Sequence, residues 1–413
     1  MRLPGSNWAG NHDYSAREFV VAESETHVRE LVLANSKVKP LGTRHCFNAI
    51  ADTEGVLIST EYLNHIVGLH VEEATVTVQP GVRYGDLAVY LHERGFALRN
   101  LASLPHISVV GACATGTHGS GLRNRGLSAD VAAIHFINGE GHPIRLKRGD
   151  DDFEGAVVHL GALGIVTELT LDVVPAFEVS QSVYLNLPLS ELEERLEEIM
   201  GMAYSVSLFT DWRESAINQV WVKHKKGEEA HFLVGASPAA GPIHPIASMP
   251  PDYCTEQGGV PGPWHERLPH FRMEFTPSCG EELQSEFIVP IARGFEALAA
   301  LEPLRSRIAS LLLISEIRAV AADSLWLSPF FGRTSLAIHF TWKKELEAVH
   351  ELLPDVEAAL APFEARPHWG KLFAMNSVSL RSLYPKWEDF RDLRQKHDPN
   401  RKFGNAYLDS ALG

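Results

Sequence analysis

A histidine that follows a glycine turn near the start of the chain is the first residue whose position suggests chemistry. Residues 38–50 are VKPLGTRHCFNAI, so a short apolar strand leads into Gly42-Thr43-Arg44 and then His45. A glycine turn lets the backbone approach a bound group and aims free N–H groups at it. Such a turn can hold a phosphate, a metal or a substrate, although most histidines are ordinary surface or core residues. The local pattern does not decide between these possibilities.

A second glycine-rich segment, GACATGTHGSG at residues 111–121, offers similar chemistry. Glycines and free N–H groups suit a pyrophosphate. Neither segment has the GxGxxG of a nicotinamide-binding fold or the Lys-Ser/Thr of a P-loop, and either alone could be a tight turn. Because a strand–helix unit separates the two segments, together they favour a dinucleotide.

Two later segments alternate as strands do, and each places two polar side chains on one face. Residues 315–320, SEIRAV, combine Glu316 with Arg318, and residues 336–342, LAIHFTW, combine His339 with Thr341. Side chains two apart on a strand point to the same face. Glu316 and Arg318 could form a plain surface ion pair. We expect instead a polar cavity lined by both strands.

The histidines and cysteines lack the spacing of a metal site. His45, His106 and His118 form no HxH or HExxH pattern, and the four cysteines of the chain form no CxxC pair. We therefore expect no metal. The scattered cysteines also argue against a disulfide framework and favour a reducing compartment, so we expect a cytoplasmic protein.

The elements that must position these residues mix helices and strands. Apolar spacing and turn residues predict the following elements in the first part of the chain: a helix over 24–35 with Ser24 as N-cap, strands at 38–41, 56–60 and 74–79, a helix that stops at Gly95, a hairpin across 139–141 and a strand before Pro175. Beyond Pro175 we predict an acidic helix at 189–200, strands at SVSLFT and QVWVKH, a Pro/Gly-rich passage at 235–263 and two or more helices after 280.

Length and composition indicate a soluble protein with two domains, or with one large domain that carries an insertion. The chain has 413 residues, of which 45% are apolar and 22% charged, and its net charge is −15. The acidic balance argues against nucleic acids and anionic membranes as partners, because both require an excess of Lys and Arg. The longest apolar run, at 308–314, is far shorter than the roughly 20 residues that cross a bilayer, and the N-terminal residues lack the apolar region of a signal peptide.

Three segments together resemble the FAD-binding domain of the vanillyl-alcohol oxidase superfamily: VKPLGTRHCFN, TVTVQPGVRYGDLAVYL and GACATGTHGSG. Over nearly its whole length the chain is similar to the alditol oxidases of that superfamily. The further matching segments are NLASLPHISV, SLFTDWR, CTEQGGVPGPWHERLPHFR, EIRAVAAD, HFTW, RPHWGK and DPNRKFGNAY. PHWGK is shared with aldonolactone oxidases and is therefore specific only to the broader group.

The resemblance implies an α+β, two-domain flavoprotein of the PCMH type. Its FAD-binding domain would span 1–175, and a substrate-binding domain with an antiparallel sheet would span 176–371. A C-terminal segment, 372–413, would return to the FAD-binding domain.

The resemblance also implies how FAD is held. His45 matches a histidine that bonds covalently to the 8α-methyl group of the flavin, and a neutral imidazole is a suitable nucleophile at physiological pH. A related branch uses a cysteine of the second glycine loop for a second bond. Cys113 lies in that loop, but alditol oxidases do not form the bond, and a small buried thiol is the simpler interpretation. The positions that match FAD-binding residues are Pro40, Leu41, Gly42, Thr43, Arg44, His45, Cys46, Ser103, Ser108, Gly111, Thr115, Gly116, Thr117, His118 and Ile165.

A second set of positions matches the polyol-binding residues of the family, with His339 beside the flavin: Ser103, Glu316, Arg318, Thr341 and Lys371. The implied enzyme is an FAD-dependent oxidase that moves a hydride from the terminal carbinol carbon of xylitol, sorbitol or glycerol to flavin N5. With O2 it would give the aldose and hydrogen peroxide. We predict that Arg318 and Lys371 bind the reacting oxygen, and His339 is a candidate for the base, whose identity stays open.

Two alternatives to this function stay open. The chain could be an aldonolactone oxidase or dehydrogenase of the L-gulonolactone type, or a flavin-loaded protein that passes electrons to a partner. The partners expected for the oxidase are a polyol and O2, and the small Ala102 beside Ser103 would leave room for O2. We expect a monomer.

Overall fold

The computed structural model describes residues 5–228, 233, 235–274 and 281–413. Residues 5–175 form short strands joined by helices. The strands are β1 (Glu18–Val21), β2 (Val38–Leu41), β3 (Val56–Ser59), β4 (Ile66–His70), β5 (Thr75–Val78), β6 (Phe96–Ala97), β7 (Gly121–Arg125), β8 (Val131–Asn138), β9 (Pro143–Lys147), β10 (Gly164–Asp172) and β11 (Val174–Pro175). The helices are α1 (Glu25–Ala34), α2 (Tyr84–His92), α3 (Val109–Ala114) and α4 (Phe153–Val157).

Most strands of this half form two small sheets, and the first glycine turn follows a strand of one of them. One is parallel, in the order β1-β3-β2, and the other is antiparallel, in the order β4-β5-β10-β8-β9. The predicted first helix is confirmed, and Ser24 caps it by accepting a hydrogen bond from the backbone N–H of His27 at 3.1 Å. The predicted strand at 38–41 is confirmed as β2, so the first glycine turn begins where this strand ends.

The second half of the chain forms one large, almost wholly antiparallel sheet. Its strands are β12 (Glu178–Pro188), β13 (Ser205–Thr210), β14 (Ala216–Lys225), β15 (Ser237–Pro238), β16 (Gly262–Pro263), β17 (Glu282–Pro290), β18 (Leu312–Ala321), β19 (Ser335–Lys343) and β20 (Arg366–Pro367). The strand order is β15-β12-β14-β13-β18-β19-β17-β20, with β16 beside β12 and β7 beside β18. The β7–β18 pair is parallel and joins the sheet to the first half of the chain.

Helices cover the large sheet and continue to the end of the chain: α5 (Glu191–Gly201), α6 (Gly294–Ala300), α7 (Arg305–Leu311), α8 (Leu346–Leu360), α9 (Ser377–Leu383), α10 (Trp387–His397) and α11 (Ala406–Leu412). In α8, Val349, Leu352, Leu353, Val356 and Leu360 recur at helical spacing and are buried. They belong to a core that also contains Phe287, Ile317 and Phe340 of the sheet. Among the described residues, no helix has the length and apolarity that crossing a membrane requires.

The register of β17, β19 and β18 places three ionisable side chains in one row. Glu286 lies opposite His339, and His339 lies opposite Glu316. The predicted strands at 315–320 and 336–342 are therefore confirmed as neighbours. Strand β17, which precedes these two strands in the chain, was not predicted, and it completes the row.

The C-terminal segment packs against β2 and the residues that follow the first glycine turn. The backbone N–H of Val38 donates to Lys402 O at 3.0 Å, and Asn405 Nδ2 donates to Asp52 O at 2.7 Å. The ammonium of Lys39 donates to Phe403 O and Gly161 O, each at 3.0 Å. These hydrogen bonds hold the start of β2 and Asp52, which lie on either side of the glycine turn in the sequence.

Candidate active site

A cavity of about 290 Å³ lies between the two glycine-rich loops and one face of the large sheet. It brings together most of the residues that the sequence indicated. The predicted residues that line it are Pro40, Leu41, Gly42, Thr43, Arg44, His45, Cys46, Ala102, Ser103, Ser108, Gly111, Thr115, Thr117, His118, Glu316, Arg318, His339, Thr341 and Lys371. One wall therefore comes from the glycine loops and the other from the paired strands.

Gly116 and Ile165 were also predicted to contact the cofactor, but they do not belong to this lining. Gly116 has a φ of +71°, and a Cβ there would lie 2.8 Å from Pro329 Cδ. The Cα of Gly116 therefore packs against the loop that contains Pro329. Ile165 is fully buried in an apolar cluster with Ile137 and Phe403. The next residue, Val166, lines the cavity in its place.

The two glycine loops meet at Ser108. A Cβ on Gly42 would lie 2.7 Å from Ser108 Oγ, and a Cβ on Gly111 would lie 2.8 Å from the same atom. The backbone N–H of Ser108 donates to Thr43 Oγ1 at 3.0 Å. The missing Cβ atoms at Gly42 and Gly111 leave room for the Ser108 hydroxyl, so the two loops pack closely and form a cradle at one wall of the cavity.

His45 lines the cavity at the first glycine loop. Its ring stacks on Trp8 with centroids 5.3 Å apart, and its buried Nδ1 has no hydrogen-bond partner among the described residues. Arg44, just before it, has a φ of +65°, a strained conformation for a residue other than glycine. Burial, assisted by nearby His106, lowers the pKa of His45 to about 4, so the imidazole is neutral and nucleophilic at pH 7. These features fit the flavin that the sequence implied.

The structure turns Cys113 away from the cavity. Its neighbours Ala112 and Ala114 line the cavity, whereas the Cys113 thiol lies in the core and hydrogen-bonds to Tyr84 Oη at 3.4 Å. Burial raises the pKa of this thiol to about 12, so it is not a thiolate at neutral pH. A second flavin bond through Cys113 has no geometric support.

Glu286 connects the cationic residues of the site. Its Oε1 accepts from Arg318 Nη2 at 2.8 Å, and its Oε2 accepts from Lys371 Nζ at 2.7 Å. His118 Nε2 lies 3.2 Å from Oε1. Burial alone would favour the neutral acid, but Lys371, His118 and Arg318 outweigh it and hold the pKa of Glu286 well below its usual range.

Lys371 also joins Glu286 to His339. Lys371 Nζ lies 2.8 Å from His339 Nδ1, and His339 Nε2 lies 3.0 Å from Thr341 Oγ1. Because an ammonium only donates, Nδ1 accepts and the Nε2–H donates to Thr341. Burial and the charge of Lys371 keep the pKa of His339 well below its usual range, so this imidazole is neutral.

Glu316 lies at the other end of the row of Glu286, His339 and Glu316. His270 Nε2 lies 2.7 Å from Glu316 Oε1, and Arg318 Nε lies 3.6 Å from the same oxygen. Arg318 Nη1 reaches Ser103 Oγ at 3.4 Å. Burial opposes ionisation of Glu316, but Arg318 and His270 outweigh it and lower its pKa. The two carboxylates and the two cations, Arg318 and Lys371, therefore balance in charge.

Several lining residues were not assigned from the sequence. The polar ones are Tyr14, Lys39, Thr60, His159, His244, His270, Glu282, Gln284, Glu286 and His368. Glu286 could have been found, because ELQSEF at 282–287 alternates like the two strands that were singled out. His270 and His368 lie within PGPWHERLPHFR and PHWGK, which carried the resemblance but were given no role.

Comparisons with known proteins agree with this geometry. Residues 16–147 match the family model of the FAD binding domain, and residues 277–411 match that of D-arabinono-1,4-lactone oxidase. The chain is 46% identical to an alditol oxidase of Streptomyces sp. over the full length of both chains. It is 27% identical to the L-gulono-1,4-lactone dehydrogenase of Mycobacterium tuberculosis, with 99% of each chain covered.

The fold has a close counterpart among solved structures. The crystal structure of cholesterol oxidase from B. sterolicum matches with a TM-score of 0.80 and covers 99% of this chain and 96% of its own. Since the sequences are 15% identical, the match bears on the fold alone. The predicted α+β architecture, with an FAD-binding domain and a second domain built on an antiparallel sheet, is confirmed.

Proposed function

The chain belongs to the alditol oxidase family of the vanillyl-alcohol oxidase superfamily, and on that premise we propose that it oxidises the terminal carbinol of alditols such as xylitol and sorbitol. The observation that carries the proposal is the charge-balanced row of Glu286, Arg318, Lys371 and Glu316 in the cavity beside the glycine cradle. Polyols are uncharged, so their binding depends on directed hydrogen bonds to several hydroxyls. A neutral cavity with both donors and acceptors provides them.

Arg318 and Lys371 bind the reacting oxygen in this proposal. Both cations are anchored on Glu286, whose charge favours their protonated forms and whose oxygens hold their remaining N–H groups in the cavity. Burial lowers the pKa of Lys371, and Glu286 opposes that shift. Fixed cations stabilise the negative charge that develops on the alcohol oxygen as its proton leaves. Glu316 and Ser103 bind neighbouring hydroxyls and thereby select the carbon that reacts.

His339 is the proton acceptor that the geometry supports. Its Nδ1 accepts from Lys371, so a proton taken by Lys371 from the alcohol is balanced by the proton that Lys371 passes to Nδ1. Thr341 holds the ring in the tautomer that leaves Nδ1 free to accept. The wild-type pH dependence then reflects Lys371 and His339 as a coupled pair.

FAD, when bound in the cradle, supplies the hydride acceptor and passes the electrons to O2, which gives hydrogen peroxide. The glycine loops would hold it through backbone N–H groups, with His118 and Thr117 at its side of the cavity. Ala102, small and cavity-lining, leaves room for O2 beside Ser103.

Covalent attachment through His45 is a separate proposal. Its support is the neutral, buried imidazole with an Nδ1 that has no partner among the described residues at the rim of the cradle. We expect the flavin to stay with the polypeptide on acid precipitation and to map to the peptide containing His45. In a His45→Ala variant the flavin should be released by the same treatment. Release from the wild-type protein would contradict the attachment.

Anaerobic reduction tests the proposed function directly. The purified protein is mixed with xylitol, and separately with L-gulono-1,4-lactone, while the absorbance of the oxidised flavin is followed, and air is then admitted. We expect bleaching by xylitol and rapid recovery in air with one peroxide formed per turnover. Bleaching by the lactone alone would place the protein with the 27% identical lactone dehydrogenase instead. Bleaching without recovery in air would indicate an electron-transfer partner.

The domain division and the assembly state belong to the same proposal. We propose boundaries near residues 175 and 371, because the small sheets end at β11 and the large sheet ends at β20. We also propose a cytoplasmic monomer, from the scattered cysteines and acidic composition of the chain. Light scattering after size exclusion and fractionation of the source cells would test the two statements.

A further inference from the structure

A buried lysine and a buried histidine stand behind Glu316. His270 Nε2 lies 2.7 Å from Glu316 Oε1, and Lys223 Nζ lies 3.2 Å from His270 Nδ1. Lys223 comes from β14 and His270 from the segment that precedes β17 in the chain, so three parts of the substrate-binding half converge here. His270 lines the cavity, whereas Lys223 does not.

The hydrogen bonds from Lys223 through His270 to Glu316 all have their donor on the lysine side. Lys223 Nζ also lies within hydrogen-bond distance of Leu268 O at 2.5 Å and Pro269 O at 3.1 Å, so its three N–H groups have three acceptors. Because the ammonium donates to Nδ1, the proton of His270 resides on Nε2 and is donated to Glu316. The ring of His270 is held edge-on by Phe209 and Trp221, at centroid distances of 5.5 and 5.1 Å.

Burying Lys223, His270 and Glu316 together lowers the free energy of unfolding, because charged groups lose their hydration. Lys223 is 1% exposed, His270 4% and Glu316 5%. A buried ammonium loses hydration, and apolar residues of similar size would often serve stability as well or better. Retention of a lysine here is explained if its hydrogen bond acts on the site through His270.

We propose that Lys223 and His270 form a positioning pair that holds the Glu316 carboxylate as a hydrogen-bond acceptor and so determines the affinity for polyols. The proposal rests on the polyol-oxidase function proposed above. His270 and Arg318 both approach Oε1 of Glu316, and Oε2 accepts the substrate hydroxyl next to the reacting one. Substrates that lack this hydroxyl are rejected, because a buried charged acceptor is then left unpaired.

Substitutions at His270 separate hydrogen-bond donation from packing. His270→Phe keeps a ring in the aromatic surroundings but cannot donate, whereas His270→Gln keeps an N–H at about the position of Nε2. Loss of a charge-assisted hydrogen bond changes affinity by roughly 10-fold or more. We therefore expect His270→Phe to raise KM for xylitol about 10-fold with kcat changed less than about 3-fold, and His270→Gln to stay near the wild type.

Two further variants complete the set. Lys223→Met should also raise KM for xylitol, because no donor then holds Nδ1 of His270 as an acceptor and its proton on Nε2. The matched control is His135→Phe: His135 is buried at 6% exposure on β8 and does not line the cavity, so KM should not change. All assays are made at pH 6, because burial lowers the pKa of Lys223 to about 7 and the ammonium must be present.

A double-mutant cycle with Glu316→Gln gives the decisive readout. If His270 acts through Glu316, then His270→Phe has little further effect on KM in the Glu316→Gln background. An equal effect in both backgrounds, or His270→Gln as impaired as His270→Phe in protein with normal flavin content, would overturn the proposal. Failure of the wild type to oxidise xylitol would instead contradict the proposed function, and the same cycle would then be run with the lactone if that is oxidised.

Discussion

At the scale of single residues, the site depends on one carboxylate that joins two cations. Glu286 has a side chain with no exposed surface, and Arg318 and Lys371 share it. A buried charge is strongly destabilising unless it is paired. Here the carboxylate offsets the desolvation of both cations, and the cations offset that of the carboxylate. The charges of Glu286, Arg318 and Lys371 are therefore strongly coupled.

Glu286→Gln should impair both stability and catalysis. The amide cannot compensate two buried cations, so we expect a clearly lower Tm, in line with the roughly 3–5 kcal/mol of stability that breaking a buried pair costs. We also expect a rate of flavin reduction lower by about 100-fold, because the cations are no longer held in place. Thermal unfolding and anaerobic stopped-flow absorbance measure the two effects. Glu168→Gln, at a half-exposed position of β10, is the control and should behave like the wild type. An unaltered reduction rate in Glu286→Gln would exclude the assigned role.

Lys371→Met should act on the chemical step. The variant loses the donor to the reacting oxygen and the link to His339, while the aliphatic stem can still fill the space. We expect flavin reduction by xylitol to slow by orders of magnitude with the flavin still bound. Stopped-flow reduction under saturating xylitol checks this, and a near-normal rate would contradict the role of Lys371.

At the scale of elements, the glycine loops work because two of them close on the same serine. Gly42 follows β2 and Gly111 lies in α3, and the missing Cβ atoms leave space for Ser108 Oγ. The hydroxyl and the backbone N–H of Ser108 thus pack against both loops. The cradle is a product of loop–loop contact and not of either loop alone.

Gly42→Ala should lower flavin content, because the new methyl group would lie 2.7 Å from Ser108 Oγ and force the loops apart. The double variant with Ser108→Ala should recover part of the flavin, since the closest clashing atom is removed and Ser108 Cβ lies at a tolerable 3.7 Å. Gly241→Ala is the matched control, because its new methyl group would meet no neighbouring side chain or backbone of the described residues within 4 Å. The ratio of flavin to protein absorbance is the measurement, and equal ratios in all variants would refute the account.

At the scale of the whole molecule, the helical layer is tied to the segment that follows Lys371. Glu357 of α8 accepts a hydrogen bond from the backbone N–H of Ala374, three residues after Lys371. Burial raises the pKa of Glu357 to about 7. The folded state therefore favours the protonated acid, and this contribution to stability is present at pH 4.5 and is lost as the pH rises through 7.

Glu357→Gln should remove that pH dependence. The amide resembles the protonated acid at every pH, so we expect a Tm close to the wild type at pH 5 and above it at pH 8. Glu347→Gln on the exposed side of the same helix is the control and should match the wild type at both values. Thermal unfolding at the two pH values makes the comparison, and a Tm of Glu357→Gln below the wild type at pH 8 would contradict the assignment.

The sequence alone determined the family, the flavin cradle and most of the polar cavity. His45 and the second glycine loop were assigned to FAD by their resemblance to a known family, because the local glycine pattern by itself left a phosphate, a metal and a substrate open. Glu316, Arg318, His339 and Thr341 were placed on common faces because strand alternation is also local.

Only the tertiary structure decided how these residues act together. Strand register brings Glu286 beside His339 and Glu316, and it depends on pairing between segments that are distant in the chain. The same holds for Lys223 and His270, whose effect on Glu316 exists only after β14 and β18 join one sheet. The orientation of Cys113 into the core was likewise set by packing, which no local pattern specifies.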